Sequence, residues 1–354
     1  MRNVDSAHCD CMRHYAACDH ADHMFGINDK HMILQEKKLS VAPMMDWTTR
    51  SARNFLRLCN PHVRLYTEMV TTQALVYGDV PRHLRFEAEE HPIALQLGGS
   101  DLKDLVHCAK LGEDWGYDEI NLNVGCPSDR VQQGRIGACL MAEPAHVAEV
   151  VAAMQAAVKV PVTVKHRIGI DGLEHYDDML NFVDTVAAQG CPHFIVHARI
   201  AILAGLSPKE NREVPPLRYT DVYRLKQDRP DLTIEINGGI KTVDEIMQHW
   251  QRTDGVMIGR EAYHSPYLLT QAQTLWGAAD LPSRADILQA YLPFVEKELA
   301  SGVPLNQITR HILGLFLGVP GGRRFRQVLS TRAHLPGAGL EVLRDAAAQT
   351  ELLI

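Results

Sequence analysis

From Leu39 onward, short apolar runs alternate with longer amphipathic ones, and this alternation limits the fold more than any other property of the chain. The short runs are Leu39–Ala42, Arg64–Glu68, Ile93–Leu97, Glu119–Asn123, Val162–His166, Phe194–His197, Leu232–Ile236 and Gly255–Ile258. Helical spacing fills stretches between them, as in Ala145–Val158, Tyr176–Gln189, Asp221–Lys226 and Thr242–His249. Strands separated by helices pair in parallel, and eight such repeats close the sheet on itself. The expected fold is therefore α/β, a (β/α)8 TIM barrel. A doubly wound open sheet is the rival topology, but no G-x-G-x-x-G follows any candidate strand.

Around Leu281-Pro282-Ser283 the strand signals stop. Arg284–Ser301, Asn306–Leu317, Phe325–Thr331 and Gly339–Gln349 read as helices, interrupted by the turn Gly318-Val319-Pro320-Gly321-Gly322. The expected organisation is a barrel domain over 39–282 and a C-terminal all-helical domain over 283–354. The first 38 residues differ from both. Cys9, Cys11, Cys18 and neighbouring His and Asp residues follow neither period there, and two readings stand: a disordered or spurious extension, with Met24 or Met32 as the true start, or a metal site of unfamiliar spacing. The eight cysteines are scattered rather than framed as disulfides. No run has the roughly 20 apolar residues of a membrane span, and no apolar stretch follows a basic start as in a secretory signal. A cytoplasmic protein is expected.

The net charge of −7 by itself argues against a nucleic-acid partner. Its distribution does not. Between Val303 and Leu335 the sequence holds Arg310, Arg323, Arg324, Arg326 and Arg332 and no acid. Such a cluster either binds phosphates on one face or is a solvated basic helix.

In barrels of this kind the reactive groups lie at the C-terminal ends of the strands, and those ends are unusual here. The first strand runs into Pro43-Met44-Met45-Asp46, the third contains Gln96, and the fourth ends Asn121-Leu122-Asn123-Val124-Gly125-Cys126-Pro127. Lys165-His166-Arg167, His197-Ala198-Arg199, Asn237-Gly238-Gly239 and Gly259-Arg260 close the fifth to the eighth. Glycines after the last two strands let backbone N–H groups approach a phosphate, with Arg260 as a charged partner, although Asn-Gly-Gly is also a plain turn signal. Lys165 suits an anionic partner such as a reduced flavin ring, or else is a Schiff-base lysine or half of a structural ion pair. Gln96 and Asn121 can bond a heterocycle's edge or each satisfy the core. His197 can bond a ring or a phosphate, or be structural. Cys126 begins the loop Ser128–Ala138, which carries Arg130 and Arg135. That placement fits a thiol nucleophile or proton donor beneath a lid.

Taken in order, these motifs resemble the tRNA-dihydrouridine synthase family, specifically its A subfamily. The resemblance rests on Ala42-Pro43-Met44-Met45-Asp46, Tyr66-Thr67-Glu68-Met69, Gln96-Leu97-Gly98-Gly99, Asn121 to Ser128, and Val164-Lys165-His166-Arg167-Ile168-Gly169. It continues through Gly205 to Arg212, Asn237-Gly238-Gly239-Ile240 and Gly259-Arg260-Glu261-Ala262-Tyr263, and spans about Leu39 to His334. It implies FMN bound by Pro43, Met44, Met45, Gln96, Lys165, His197, Asn237, Gly238, Gly239, Gly259 and Arg260. It implies NADPH, or NADH, as electron donor and Cys126 as the acid that protonates C5 of a uridine while hydride reaches C6. A thiol of ordinary pKa, about 8.5, is mostly protonated at neutral pH and can act so. The same resemblance makes Asn123, Lys209, Arg212, Arg323 and Arg326 contacts to tRNA, with uridines 20 and 20a of the D-loop as targets. Neither a membrane nor a protein partner is implied.

Two departures stand out. After His197-Ala198-Arg199 the subfamily usually has Lys, Ala, Trp, Leu, Lys, whereas this chain has Ile200-Ala201-Ile202-Leu203-Ala204. Ile136 replaces an aromatic residue in the lid. Two positive charges and an aromatic surface are thus absent beside the expected site, which weakens phosphate binding and flattens its salt dependence. A small-molecule FMN barrel, a non-catalytic RNA-binding module and a flavin-free phosphate-binding barrel are the competing readings.

Overall fold

The structure, a computed structural model, describes residues 37–128 and 134–350. The two readings of the N-terminal segment, and Arg130 of the lid, lie outside the described residues. The strands are β1 (Lys38–Val41), β2 (Leu65–Tyr66), β3 (Val70–Thr71), β4 (Ile93–Gly98), β5 (Glu119–Val124), β6 (Val162–Arg167), β7 (His193–His197), β8 (Thr233–Asn237) and β9 (Gly255–Ile258). Every pairing between them is parallel, in the order β1-β9-β8-β7-β6-β5-β4-β2. The barrel closes where Arg64, just before β2, meets β1: Val41 N donates to Arg64 O at 2.9 Å, and Arg64 N donates to Leu39 O at 2.9 Å.

One expected strand is divided. The run Arg64–Glu68 forms only β2, and pairing with β4 resumes at β3. The cause is Thr67, whose hydroxyl takes the Gln96 N–H at 3.0 Å in place of a backbone carbonyl and itself donates to Glu68 O at 2.7 Å. A side chain that competes for ladder hydrogen bonds interrupts the ladder.

Strand alternation sorts the residues into two faces. On β5, Ile120, Leu122 and Val124 face the helical layer, while Glu119, Asn121 and Asn123 point into the barrel. The outer face is close-packed. On the helix Leu102–Asp114, a Cβ added at Gly112 would lie 2.5 Å from Ile120 Cδ1 and 2.8 Å from Leu95 Cδ2. Inside, Ala42, Tyr66, Ala94, Ile195 and Met257 form an apolar cluster against which Met44 packs.

The C-terminal segment is helical, with helices Arg284–Ala300, Leu305–Thr309, Gly322–Arg332 and Leu340–Ala347. The first packs on the helix Arg50–Cys59 through Phe55 and Tyr291, whose rings meet edge-on at 5.5 Å. Tyr291 OH donates to Ser51 O at 2.9 Å, and Arg50 pairs with Glu298. The described residues from Lys38 to Thr350 form one compact unit. The helix expected over Asn306–Leu317 stops at Thr309. Beyond it the chain is pressed onto the segment 264–266, where a Cβ at Gly314 would lie 2.2 Å from His264 O, and this approach replaces the remaining helical turns.

Candidate active site

The C-terminal ends of the strands surround a cavity of about 820 Å³, within the usual range for a ligand pocket of 300–1,000 Å³. Its walls include Pro43, Met44 and Met45 after β1, Gln96 on β4, Asn123 and Cys126 at the end of β5, and Lys165 on β6. His197, Asn237, Gly238, Gly239, Gly259 and Arg260 complete the circuit. Every residue that the family resemblance suggested for FMN is thus on one cavity, together with Cys126, Asn123 and Arg212, whereas Asn121, also offered for a heterocycle's edge, is fully buried below it and bonded to Gln96 and Thr163. Lys209, Arg323 and Arg326 are exposed and do not line it.

The floor is built from the alternate residues of β4 to β8. Asn237 receives the Lys165 ammonium at 3.2 Å and donates to Met257 O at 2.7 Å, which fixes its own orientation. Gln96 donates to Asn121 Oδ1 and accepts from Asn123 Nδ2, both at 2.8 Å. Asn123 in turn accepts the N–H groups of Gly125 at 3.1 Å and Cys126 at 3.0 Å. Cys126 is therefore held by its backbone, with its thiol partly exposed to the cavity. Ala138 N donates to Cys126 O at 2.9 Å, tying the far end of the expected lid to its start. Arg135 of that loop has φ 51° and pairs with Glu143 at 2.8 Å.

Positive charge dominates. Lys165, Arg167, Arg199, Arg212, Lys241 and Arg260 line the cavity against Glu213 and Glu261. Burial pushes Lys165 down to about 8, assisted by the neighbouring charge of Arg167. Burial also holds His197 well below the ordinary imidazole range, with Arg167, Lys165, Arg199 and Arg212 adding to the effect, so its ring is neutral at pH 7. Both shifts express one condition: cations crowd a recess that offers them little water, and a bound anion relieves it.

The Asn-Gly-Gly turn needs its glycines. Gly238 has φ +123° and Gly239 φ +73°, and a Cβ at either would lie 2.8 Å from His197 Cδ2 or 2.6 Å from Leu217 Cδ1 respectively. At Gly259, by contrast, a Cβ would meet only Ala42 Cβ, at 4.0 Å. Arg260 donates to Glu213 Oε1 at 2.8 Å and to Arg212 O at 3.2 Å.

Sequence reasoning passed over Arg167. It is almost fully buried and donates to Gly125 O at 3.0 Å, Ile200 O at 2.8 Å and Asn211 O at 3.0 Å, so it ties the Cys126 loop to two points of the loop that follows β7. Its place two residues after Lys165, on the same inward face, was the available signal. The divergent run Ile200–Ala204 is anchored by backbone as well, through Asn211 to Ile202 N at 2.8 Å and Asp171 to Leu203 N at 2.8 Å. Its altered side chains therefore leave the course of the loop to other residues.

A family model described as dihydrouridine synthase (Dus) matches residues 40–351. The chain belongs to the dihydrouridine synthase family. It is 57% identical over 314 residues to the tRNA-dihydrouridine(20/20a) synthase of Xanthomonas campestris, covering 89% of this chain and 94% of that one. It is 57% identical over 310 residues to the enzyme of the same name from Synechocystis sp., covering 87% and 93%. The corresponding enzyme of Vibrio cholerae is 55% identical over 315 residues, covering 88% and 96%. Among solved structures, 2-naphthoyl-CoA reductase in complex with 2-naphthoyl-CoA shares the barrel with a TM-score of 0.52 and 11% identity, over 67% of this chain and 50% of that one. That likeness is one of fold alone. Among the described residues no helix is long and apolar enough to cross a membrane, and no cluster of His, Cys, Asp and Glu is arranged to hold a metal ion.

Proposed function

We propose that this member of the dihydrouridine synthase family reduces uridines 20 and 20a of tRNA to 5,6-dihydrouridine, with FMN as cofactor and NADPH, or NADH, as reductant. The observation that carries the proposal is the meeting of Cys126 with a glycine turn and a cluster of cations on one cavity. The names and high identity of the relatives support the substrate.

The residues present fit an anionic flavin. Lys165 and the neutral His197 suit a ring that gains negative charge, and Gln96 and Asn237 border the same space. Pro43, Met44 and Met45 supply an apolar wall, while Gly238, Gly239, Gly259 and Arg260 suit the phosphate. Arg260 would then exchange Glu213 for the phosphate. When bound, FMN would supply the two-electron hydride chemistry that links the nicotinamide to C6 of the uridine. Cys126 Sγ gives its proton to C5, completing the addition of H⁻ and H⁺ across the C5=C6 bond. Asn123 and Arg167 hold the Gly125-Cys126 backbone so that the thiol meets the base.

The uridine has to leave its stack to reach this depth. Asn123 and Arg212 line the cavity that receives it, and Lys209 lies exposed nearby in sequence on the same loop. Arg323 and Arg326 extend the contact along the helical segment, the tRNA-binding domain of the proposed division at 282/283. The visible spectrum of purified protein tests the core of the proposal. Flavin bands that bleach with NADPH under anaerobic conditions and return on adding unmodified tRNA are expected. Protein that takes up no flavin from excess FMN, or flavin reoxidised as fast by free uridine as by tRNA, would overturn it.

A further inference from the structure

The inward side chains of β4, β5 and β6 form one directed hydrogen-bond chain across the barrel. The register sets it up, placing Gln96 opposite Asn121 and Asn121 opposite Thr163. Cys126 N–H donates to Asn123 Oδ1, Asn123 Nδ2 to Gln96 Oε1, and Gln96 Nε2 to Asn121 Oδ1. Asn121 Nδ2 then donates to Thr163 Oγ1 at 2.8 Å, and Thr163 donates to Glu119 Oε1 at 2.7 Å. The ends admit a single polarity: a backbone N–H can only donate, and a carboxylate can only accept. Each carboxamide between them is thereby prevented from turning over. Glu119 also receives the Tyr66 hydroxyl at 2.7 Å and pairs with Arg64, so its carboxylate is clamped from the opposite side.

We infer that Thr163 and Glu119, two residues outside the cavity lining, are positioning residues for Cys126. They anchor the amide chain that presents Asn123 Oδ1 to the Gly125 and Cys126 N–H groups. The consequence for catalysis rests on the reading of Cys126 as proton donor; the ordering of its backbone does not. Without the Thr163 hydroxyl, Asn121 loses its acceptor, its amide can invert, and Gln96 and Asn123 follow. A Gly125-Cys126 amide pair facing an NH2 group is repelled rather than held.

The test uses Thr163→Val, nearly isosteric, with Thr163→Ser as the rescuing variant and Asn121→Leu as a second cut in the same chain. Hydrogen exchange is measured in the flavin-free protein. The Gly125 and Cys126 amides are expected to exchange roughly two- to tenfold faster in Thr163→Val, the scale of one lost hydrogen bond. Ser at the position restores protection, and the Ala198 N–H, bonded to Asn237 O outside the chain, stays unchanged. In flavin-loaded protein the single-turnover rate of uridine reduction falls in Thr163→Val and recovers in Thr163→Ser. Unchanged exchange at Gly125 and Cys126 in folded Thr163→Val, or in Asn121→Leu if the first variant does not fold, overturns the inference. Faster exchange in a protein whose parent reduces no uridine upholds the positioning role and sinks the proposed function instead.

Discussion

The mouth of the barrel and the helix Gly322–Arg332 both carry concentrated positive charge, yet they hold it differently. At the mouth, Arg167 makes three hydrogen bonds to backbone carbonyls, and Lys165 and Asn237 orient one another. On the helix, Phe325 and Leu329 are buried against the neighbouring helices, while Arg323, Arg324 and Arg326 are exposed and none forms an ion pair among the described residues. The difference fits the tasks proposed for the two regions. Proton and hydride transfer depend on distances held to a fraction of an ångström, which only packed and bonded groups supply. Attraction for a phosphate backbone acts over a Debye length of about 8 Å and tolerates flexible side chains.

The largest effect separating the two regions is expected at Cys126. Cys126→Ala should retain flavin and its reduction by NADPH, yet lower single-turnover uridine reduction by about 10²- to 10⁴-fold, the usual contribution of a general acid. Undiminished dihydrouridine formation would break the assignment of the thiol. Next comes Lys165→Met, for which FMN affinity by titration should drop roughly 10- to 100-fold through loss of a charge-assisted bond. Because Lys165 lies at about 8, its ammonium is half charged at that pH, mostly charged about a unit below it and mostly lost about a unit above it. Wild-type affinity for FMN should therefore weaken as pH rises past 8, by up to about tenfold per unit, and the Lys165→Met profile should be flat over the same range.

On the helix the expected changes are smaller and of another kind. Arg323→Ala and Arg326→Ala should each raise KM for tRNA at physiological salt and reduce the slope of log affinity against log salt by about 0.7–0.9, with kcat unchanged. A fall in kcat at saturating tRNA would place these arginines in the chemistry and erase the distinction. The smallest change is a gain: Ala204→Lys, on an exposed backbone held by Asp171, should steepen the salt dependence by a similar increment if this loop faces the phosphates.

Much of this arrangement is legible from residue order. The strand runs, the eightfold repeat and the glycines after β8 and β9 all emerge from periodicity and turn chemistry, because each is a property of neighbours in the chain. Two elements were not legible for a shared reason. Thr67 divides a strand by bonding to Gln96, and Gly314 ends a helix by pressing on His264 O, so in both cases a distant segment overrides a local preference. Arg167 was visible as the inward partner of Lys165 but had no evident role until its three carbonyl acceptors were brought to it.

The sequence alone determined the barrel, the helical tail, the basic run and the set of residues at the strand ends, since side-chain period and backbone preference are written within a few positions of each residue. Tertiary structure decided which of those residues share a cavity, how far Lys165 and His197 depart from their ordinary charge states, and which way the amides of Gln96, Asn121 and Asn123 point. Those outcomes depend on strand register and on the water excluded when the barrel closes, and both arise only between segments far apart in the chain.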